Sequence, residues 1–251
     1  MIYQAFQSSM VFMDIPILFE DENYIVLNKP AGLQIHPGKE VGAYTLVDWV
    51  KEHFPKLESI GGQFEFGEGG LVSRFGIVHR LDKDTSGAIL IAKNKQAFEY
   101  LQGQIRVRKV LKVYHVFVHG KMKDERGIID RPIGRSSGDS PQWSAARGVR
   151  GSLRDAITQY RTLVYKDGFS LLEVIPKTGR THQIRVHFKS LQHIVLGDVF
   201  YGSKPESVFG FKRTALHSIR FSFKDMSGKE IRVEAPYPKD FEEAVAKIKT
   251  M

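Results

Sequence analysis

Cysteine is absent from all 251 residues, which excludes disulfides, thiolate nucleophiles, iron–sulfur clusters and cysteine-based zinc sites. Nine histidines remain, but none falls in an HExxH or HxH spacing, and that argues against a catalytic metal. No apolar run reaches the ~18 residues that a membrane span needs, and no basic-plus-apolar leader opens the chain. A cytoplasmic protein with no membrane partner is therefore expected. Repeats and low-complexity tracts are also missing. In the absence of heptads or an apolar interface strip, a monomer is expected.

Acid is the scarcer charge, with 28 Asp and Glu against 37 Lys and Arg and a net charge of +9. Clustered cations gain affinity for phosphates by releasing condensed counterions, so the excess points to a polyanionic partner, nucleic acid first. A solvated basic surface is the plainer alternative. With 42% apolar and 26% charged residues, the chain has the make-up of a globular protein with room for a sizeable core.

Short β-rich runs bounded by Asn, Asp, Gly or Pro recur along the chain and read as strands. They are Ile17–Gly32, His79–Asn94, Lys112–Gly120, Ala156–Lys166, Phe169–Pro176, Ala215–Phe223 and Glu230–Pro236. Helical patterns are fewer: Thr45–Phe54, Lys95–Arg106, Thr181–Leu191 and Asp240–Lys249, with Thr45 and Asp240 as candidate caps. Strands dominate without regular alternation with helices, which favours α+β with a mixed, largely antiparallel sheet. Two Gly-rich segments, Ser59–Gly70 and Gly134–Ser152, read as mobile loops. The second carries Arg135, Arg147 and Arg150, which are suited to gripping RNA or are simply surface insertions.

Two stretches concentrate groups able to do chemistry. In "HRLDKDTSG" (His79–Gly87), the DTSG turn makes Asp84 a turn acid, because Asp, Ser and Gly satisfy local backbone groups. Asp82 follows apolar Leu81, where a partly buried carboxylate needs a cationic or hydrogen-bonding partner. Such an acid, taken alone, is structural more often than catalytic. In "KTGRTHQIRVHF" (Lys177–Phe188), Arg180 in a GR turn at a strand end offers a rigid guanidinium. Paired with Asp82, it would keep the acid deprotonated as nucleophile or base. His182 and His187 read as helix residues satisfied by local hydrogen bonds. Tyr114 reads as a strand tyrosine whose hydroxyl finds one partner.

Six motifs, "NKPAGLQIHPG", "GIVHRLDKDTSGAILIAKN", "LKVYHVFVHGK", "IDRPIGR", "KTGRTHQIRVHF" and "LGDVFYG", occur in that order between Asn28 and Gly202. In this the sequence resembles the RluA-type RNA pseudouridine synthases, over about Ile15 to Pro238. The resemblance implies the pseudouridine synthase fold, isomerisation of uridine in structured ribosomal or transfer RNA, and no cofactor. It makes Asp82 the catalytic aspartate, with Arg180 as its ion-pair partner and Tyr114 against the base, helping to remove the proton from carbon 5. Arg80 would push into the RNA stack as the uridine leaves it. Arg135, Lys177 and Arg185 would contact RNA, and Ile184 and Leu196 would wall the uracil pocket. Residues 1–14 would form an extension and 15–251 the catalytic domain, without the small N-terminal RNA-binding domain of many relatives. The rival class is a noncatalytic RNA-binding or ribosome-assembly protein on the same fold. An RNA glycosidase is disfavoured, because Asp84 is the only nearby second acid.

Overall fold

The computed structural model describes residues 13–37, 42–66, 70–136, 142–145, 149–202 and 208–250. The chain opens with strands β1 (Ile17–Glu20) and β2 (Tyr24–Lys29), split by a turn in which Asp21 Oδ1 accepts the backbone N–H groups of Asn23 and Tyr24. Helix α1 (Leu46–His53) starts at Thr45, as its sequence predicts. The Thr45 side chain accepts from Asp48 N–H while the Asp48 carboxylate accepts from Thr45 N–H, a reciprocal capping box. A hairpin of β3 (Gln63–Phe66) and β4 (Gly70–Ser73) precedes β5 (Ser86–Ala92) and helix α2 (Lys95–Arg106). There follow β6 (Leu111–His119), β7 (Arg126–Asp130), β8 (Ile133–Ser136), β9 (Trp143–Ser144), β10 (Val149–Arg154), β11 (Ile157–Lys166) and β12 (Phe169–Pro176). Helix α3 (Gln183–Ser190), β13 (Leu216–Lys224), β14 (Glu230–Glu234) and α4 (Lys239–Thr250) complete the order.

Nine strands form one sheet in the order β1-β2-β5-β13-β6-β12-β11-β7, with β14 also on β13. Every pairing is antiparallel except β5 with β13, so the sheet is mixed and largely antiparallel, as expected. Strands β2 and β5 have apolar groups on both faces because both faces are covered. Ile25, Leu27, Ile89 and Ile91 join the core under α1 and α4; Tyr24, Val26, Leu90, Phe221 and Phe223 join a second core with Ala97, Phe98 and Leu101 of α2. The parallel contact is unusually close. A Cβ on Gly87 (φ 107°) would lie 2.3 Å from the Ser218 carbonyl oxygen, so only glycine fits where β5 leaves the DTSG turn.

Four expectations change. The Gly-rich segments are not plain loops. The first folds as the β3–β4 hairpin, because QFEF alternates and Phe64 packs edge-on against His36 at 4.8 Å. The second contributes a three-stranded sheet, β10-β8-β9, over a small core of Ile133, Ala156, Val186 and Tyr201. Arg147 lies outside the described residues. Of the run His79–Asn94, only Ser86–Ala92 is strand. Helix α3 starts two residues late, because His182 takes a left-handed φ of 54°. Asp240 does not cap α4 but sits in its first turn, where its carboxylate accepts from Arg213 at 2.8 and 3.0 Å.

Candidate active site

The turn ahead of β5 is held from several directions. Lys29, wholly buried at the end of β2, donates Nζ protons to the carbonyls of Pro30 (2.7 Å), Leu33 (2.9 Å) and Lys83 (3.0 Å). Gly32 N–H reaches the same Lys83 carbonyl, Thr85 N–H closes on the Asp82 carbonyl, and Arg213 Nη1 donates to the Asp84 carbonyl. His79 accepts Leu90 N–H at Nε2 and stacks on Phe221, with centroids 4.8 Å apart. Burial, reinforced by the charge of Lys112, pushes its pKa down to about 3, so it serves as a neutral strut.

This turn delivers Asp82 to a cavity of about 110 Å³ shared with the middle of β6 and the β12–α3 junction. The Asp82 side chain is one-fifth exposed and accepts at Oδ2 from Arg185 Nη1, 3.2 Å away. Oδ1 takes no hydrogen bond from any described residue. Arg185 in turn gives Nε and Nη2 to the two carboxylate oxygens of Asp198, at 2.7 and 2.8 Å, in the bidentate fork that suits a guanidinium. The Tyr201 ring lies beneath the guanidinium at 5.0 Å, and Tyr201 N–H donates to Asp198. Burial works against the charge on Arg185, but the bonds and charge of Asp198, then Asp82, more than offset it and raise its pKa above the ordinary arginine value.

The partner of Asp82 is therefore Arg185, and the expected Arg180 pair is not formed. Arg180 is exposed at the cavity rim and donates Nε to the Asp155 carbonyl at 3.0 Å. The difference is geometric. Arg180 belongs to the turn that leaves the sheet, whereas Arg185 lies one helical step inside α3, on the face turned towards the cavity. Being buried and tied to two carboxylates, Arg185 is not available to RNA as expected. Asp198, in "LGDVFYG", was given no role by the sequence; its burial and its bond to Arg185, thirteen residues earlier, appear only in the fold.

Tyr114 lines the cavity from β6, across from Ser218 in the sheet register. Burial first, then the charge of Asp82, raises its phenol pKa, and a hydrogen bond with the Ser218 side chain opposes the shift. Ile184 forms part of the cavity wall as expected. Leu196 does not: its N–H bonds the Phe117 carbonyl in the core behind β6, and Leu216 takes the apolar position instead. Arg80 is exposed at the mouth. Lys177 lines a second, adjoining cavity, and Arg135 stands apart over the Trp143 ring at 5.4 Å. His182 is not a helix residue with local bonds. It lines the cavity and pairs Nδ1 with the Tyr201 hydroxyl at 2.9 Å, while His187 is bonded to Thr158 Oγ1 and the Arg131 carbonyl.

Known proteins resemble this chain in sequence and in fold. Residues 23–190 match the family model described as RNA pseudouridylate synthase. An uncharacterized RNA pseudouridine synthase of Synechocystis sp. is 39% identical over 236 residues, covering 93% of this chain and 69% of its own length. The ribosomal large subunit pseudouridine synthase D of Zymomonas mobilis is 37% identical over 239 residues, covering 91% and 72%. Among solved structures, human RNA pseudouridylate synthase domain containing 4 superposes with a TM-score of 0.70 at 23% identity, covering 93% of this chain and 92% of its own, which shows the shared fold. A family match spanning Asp82, Tyr114 and Arg185, joined to relatives this similar over nine-tenths of the sequence, makes this chain a member of the RNA pseudouridine synthase family.

Proposed function

We propose that the chain isomerises uridine to pseudouridine in ribosomal RNA, with Asp82 as the group that acts on the ribose. The observation that carries the assignment is the Asp82–Arg185–Asp198 chain of charges. Arg185 neutralises and orients Oδ2, Asp198 fixes Arg185, and Oδ1 accepts from none of the described residues. The relatives named ribosomal large subunit pseudouridine synthase D support ribosomal RNA as the substrate.

In the reaction the C1′–N1 bond breaks and a C1′–C5 bond forms; C5 loses a proton and N1 ends with one. Substrate and product are isomers, so atoms balance with no co-reactant. Attack on the ribose and proton abstraction from it both use the same oxygen of Asp82, Oδ1. Tyr114 presents a neutral phenol to the base, because burial raises its pKa. Its share in removing the C5 proton is that of a relay, which gives up its own hydrogen as it takes another. Ile184 and Leu216 provide apolar walls for the uracil ring, and Arg80 at the mouth fills the gap that the unstacked nucleotide leaves.

The test is carbodiimide mapping of pseudouridine in ribosomal and transfer RNA from a strain lacking the gene, complemented with wild type or Asp82→Asn. One ribosomal site lost on deletion and restored only by wild type is the expected result. Restoration by Asp82→Asn would remove Asp82 from the chemistry, and a change confined to transfer RNA would overturn the substrate. No change at any site would favour the noncatalytic RNA-binding reading.

A further inference from the structure

Beside the catalytic cavity lies a larger one of about 450 Å³, between the α2–β6 turn and the β12–α3 turn. Arg106, Arg108, Lys109, Lys112, Lys177 and Arg180 line it, and among the described residues no acidic one does. None of the six is paired with a carboxylate among the described residues. The two cavities share a wall made by Pro176, Thr178, Gly179, Arg180 and Lys112. A Cβ on Gly179 would stand 3.8 Å from Lys112 Nζ, so the ammonium rests against bare backbone between the two spaces. Burial pulls the Lys112 pKa below the ordinary lysine value, and no charge on a described residue opposes the shift.

The turn that presents the other cations is built rather than loose. Gln104 at the end of α2 is bonded to both the carbonyl and the N–H of Lys224, and Lys109 N–H returns to the Gln104 carbonyl. Arg108 occupies a left-handed position, φ 59°, where a helix end ordinarily places glycine. A cation stands there although glycine would fit without strain. Among the described residues the groove has no aromatic lining on which bases could stack, and its remaining walls are mostly aliphatic, including Ile105 and Ile175.

We propose that this groove carries the phosphodiester backbone of the RNA strand adjoining the target uridine, with Lys112 taking the phosphate at the shared wall. The inference rests on the RNA reading above and adds a path for the strand. Six cations with no carboxylate partner among the described residues fit a polyanion, continuity with the catalytic cavity fits the substrate's own chain, and a lining without aromatic groups among those residues suits a backbone held without regard to sequence. Lys112 is a positioning residue: it fixes the phosphate and, through it, the ribose against Asp82.

The experiment measures binding of fluorescein-labelled oligouridylate and oligoadenylate by anisotropy across a range of KCl, using the full chain. The probes compare wild type with the exposed triple variant Arg106→Gln/Arg108→Asn/Lys109→Gln, where Asn suits the left-handed position. Three lost contacts at ~0.7 each should reduce the slope of log K against log[KCl] by about 2, equally on both oligonucleotides. On ribosomal RNA the triple variant should raise KM and leave kcat unchanged. Lys112→Met should lose about 0.7 of slope, lower kcat/KM, and be rescued in both by Lys112→Arg; a merely structural lysine would not change the slope. Unchanged slopes in the triple variant and in Lys112→Met would overturn the groove, and would be the outcome if an acidic protein surface were its occupant. Slopes are read without turnover, so wild type that binds this way but forms no pseudouridine would overturn the proposed function and leave the groove standing.

Discussion

Arg185 touches Asp82 with a single nitrogen, Nη1 to Oδ2 at 3.2 Å, and commits the other two donors of its fork to Asp198 at 2.7 and 2.8 Å. The shorter, bidentate bond anchors the arginine; the longer one is what the acid in the cavity feels. Asp82 is thereby oriented without having both oxygens consumed.

Arg185→Lys keeps the charge but cannot bridge both acids, because an ammonium is a point donor rather than a planar fork. kcat for pseudouridine formation should fall roughly 100-fold, the scale of a misplaced reacting group, while RNA affinity stays near wild type. Single-turnover kinetics at saturating RNA are the check. Near-normal kcat would show that position matters less than charge.

Arg180→Ala separates the two arginines of the TGRTHQIR motif. Its guanidinium faces the Asp155 carbonyl and the basic groove, so its removal should weaken RNA binding and lower the salt slope by ~0.7, with kcat largely kept. Arg185→Ala should instead remove turnover and destabilise the fold by ~3–5 kcal/mol, since it leaves Asp198 buried without its partner. Equal losses of kcat in both variants would contradict the assignment of the ion pair to Arg185.

The difference between these arginines also marks what the sequence could disclose. Pattern alone located α2 to the residue, because its apolar spacing is a local signal; the Asn94 cap that starts it appears only in the structure. The ordered motifs singled out Asp82, Tyr114 and Ile184, which the fold brings to one cavity. Which of two arginines five residues apart faces an acid a hundred positions away depends on how α3 leaves β12, and the left-handed turn at His182 that sets this has no local marker. Leu196 and Leu216 are confused for the same reason: both are apolar and near β6, and only the packing of the segment behind β6 decides which one reaches the cavity. The hairpin that begins within Ser59–Gly70 was hidden by its glycines; Gly61 and Gly62, for example, take positive φ just before β3 and so mark a turn into a strand rather than a lack of structure.

Lys29→Met tests whether the turn carrying Asp82 is held from behind. The variant fills the volume but leaves the carbonyls of Pro30, Leu33 and Lys83 without the donor that joins them. A loss of ~2–6 kcal/mol is expected, because the Pro30 and Leu33 carbonyls are stranded at ~1–3 each while the Lys83 carbonyl keeps the Gly32 N–H. Urea unfolding measures that loss. kcat should drop as well, because Lys83 is the neighbour of Asp82. An unchanged urea midpoint would show that the Gly32–Lys83 backbone bond holds the turn alone.

His217 gives the fold an acid limit. It is wholly buried, pairing Nδ1 with Ser86 Oγ at 2.9 Å and Nε2 with the Ala235 carbonyl at 3.3 Å, so the neutral ring donates from Nε2 and accepts at Nδ1. Burial pushes its pKa down to about 4; the Ala235 bond opposes this, and the charge of Arg213 adds to it. The unfolded chain takes up the proton near pH ~6.5, before the native state does. Between there and about pH 4 the unfolded state binds more protons, and stability falls as pH falls. The contribution is fully present above the unfolded value and shrinks by up to ~1.4 kcal/mol per pH unit below it. His79, depressed to about 3, adds a slope of the same sign. Urea midpoints taken from neutral to mildly acidic pH should therefore decline in wild type, and decline less steeply in His217→Gln, which starts lower because it loses the buried ring. Parallel declines in the two proteins would show that His217 is not the group whose protonation is being resisted.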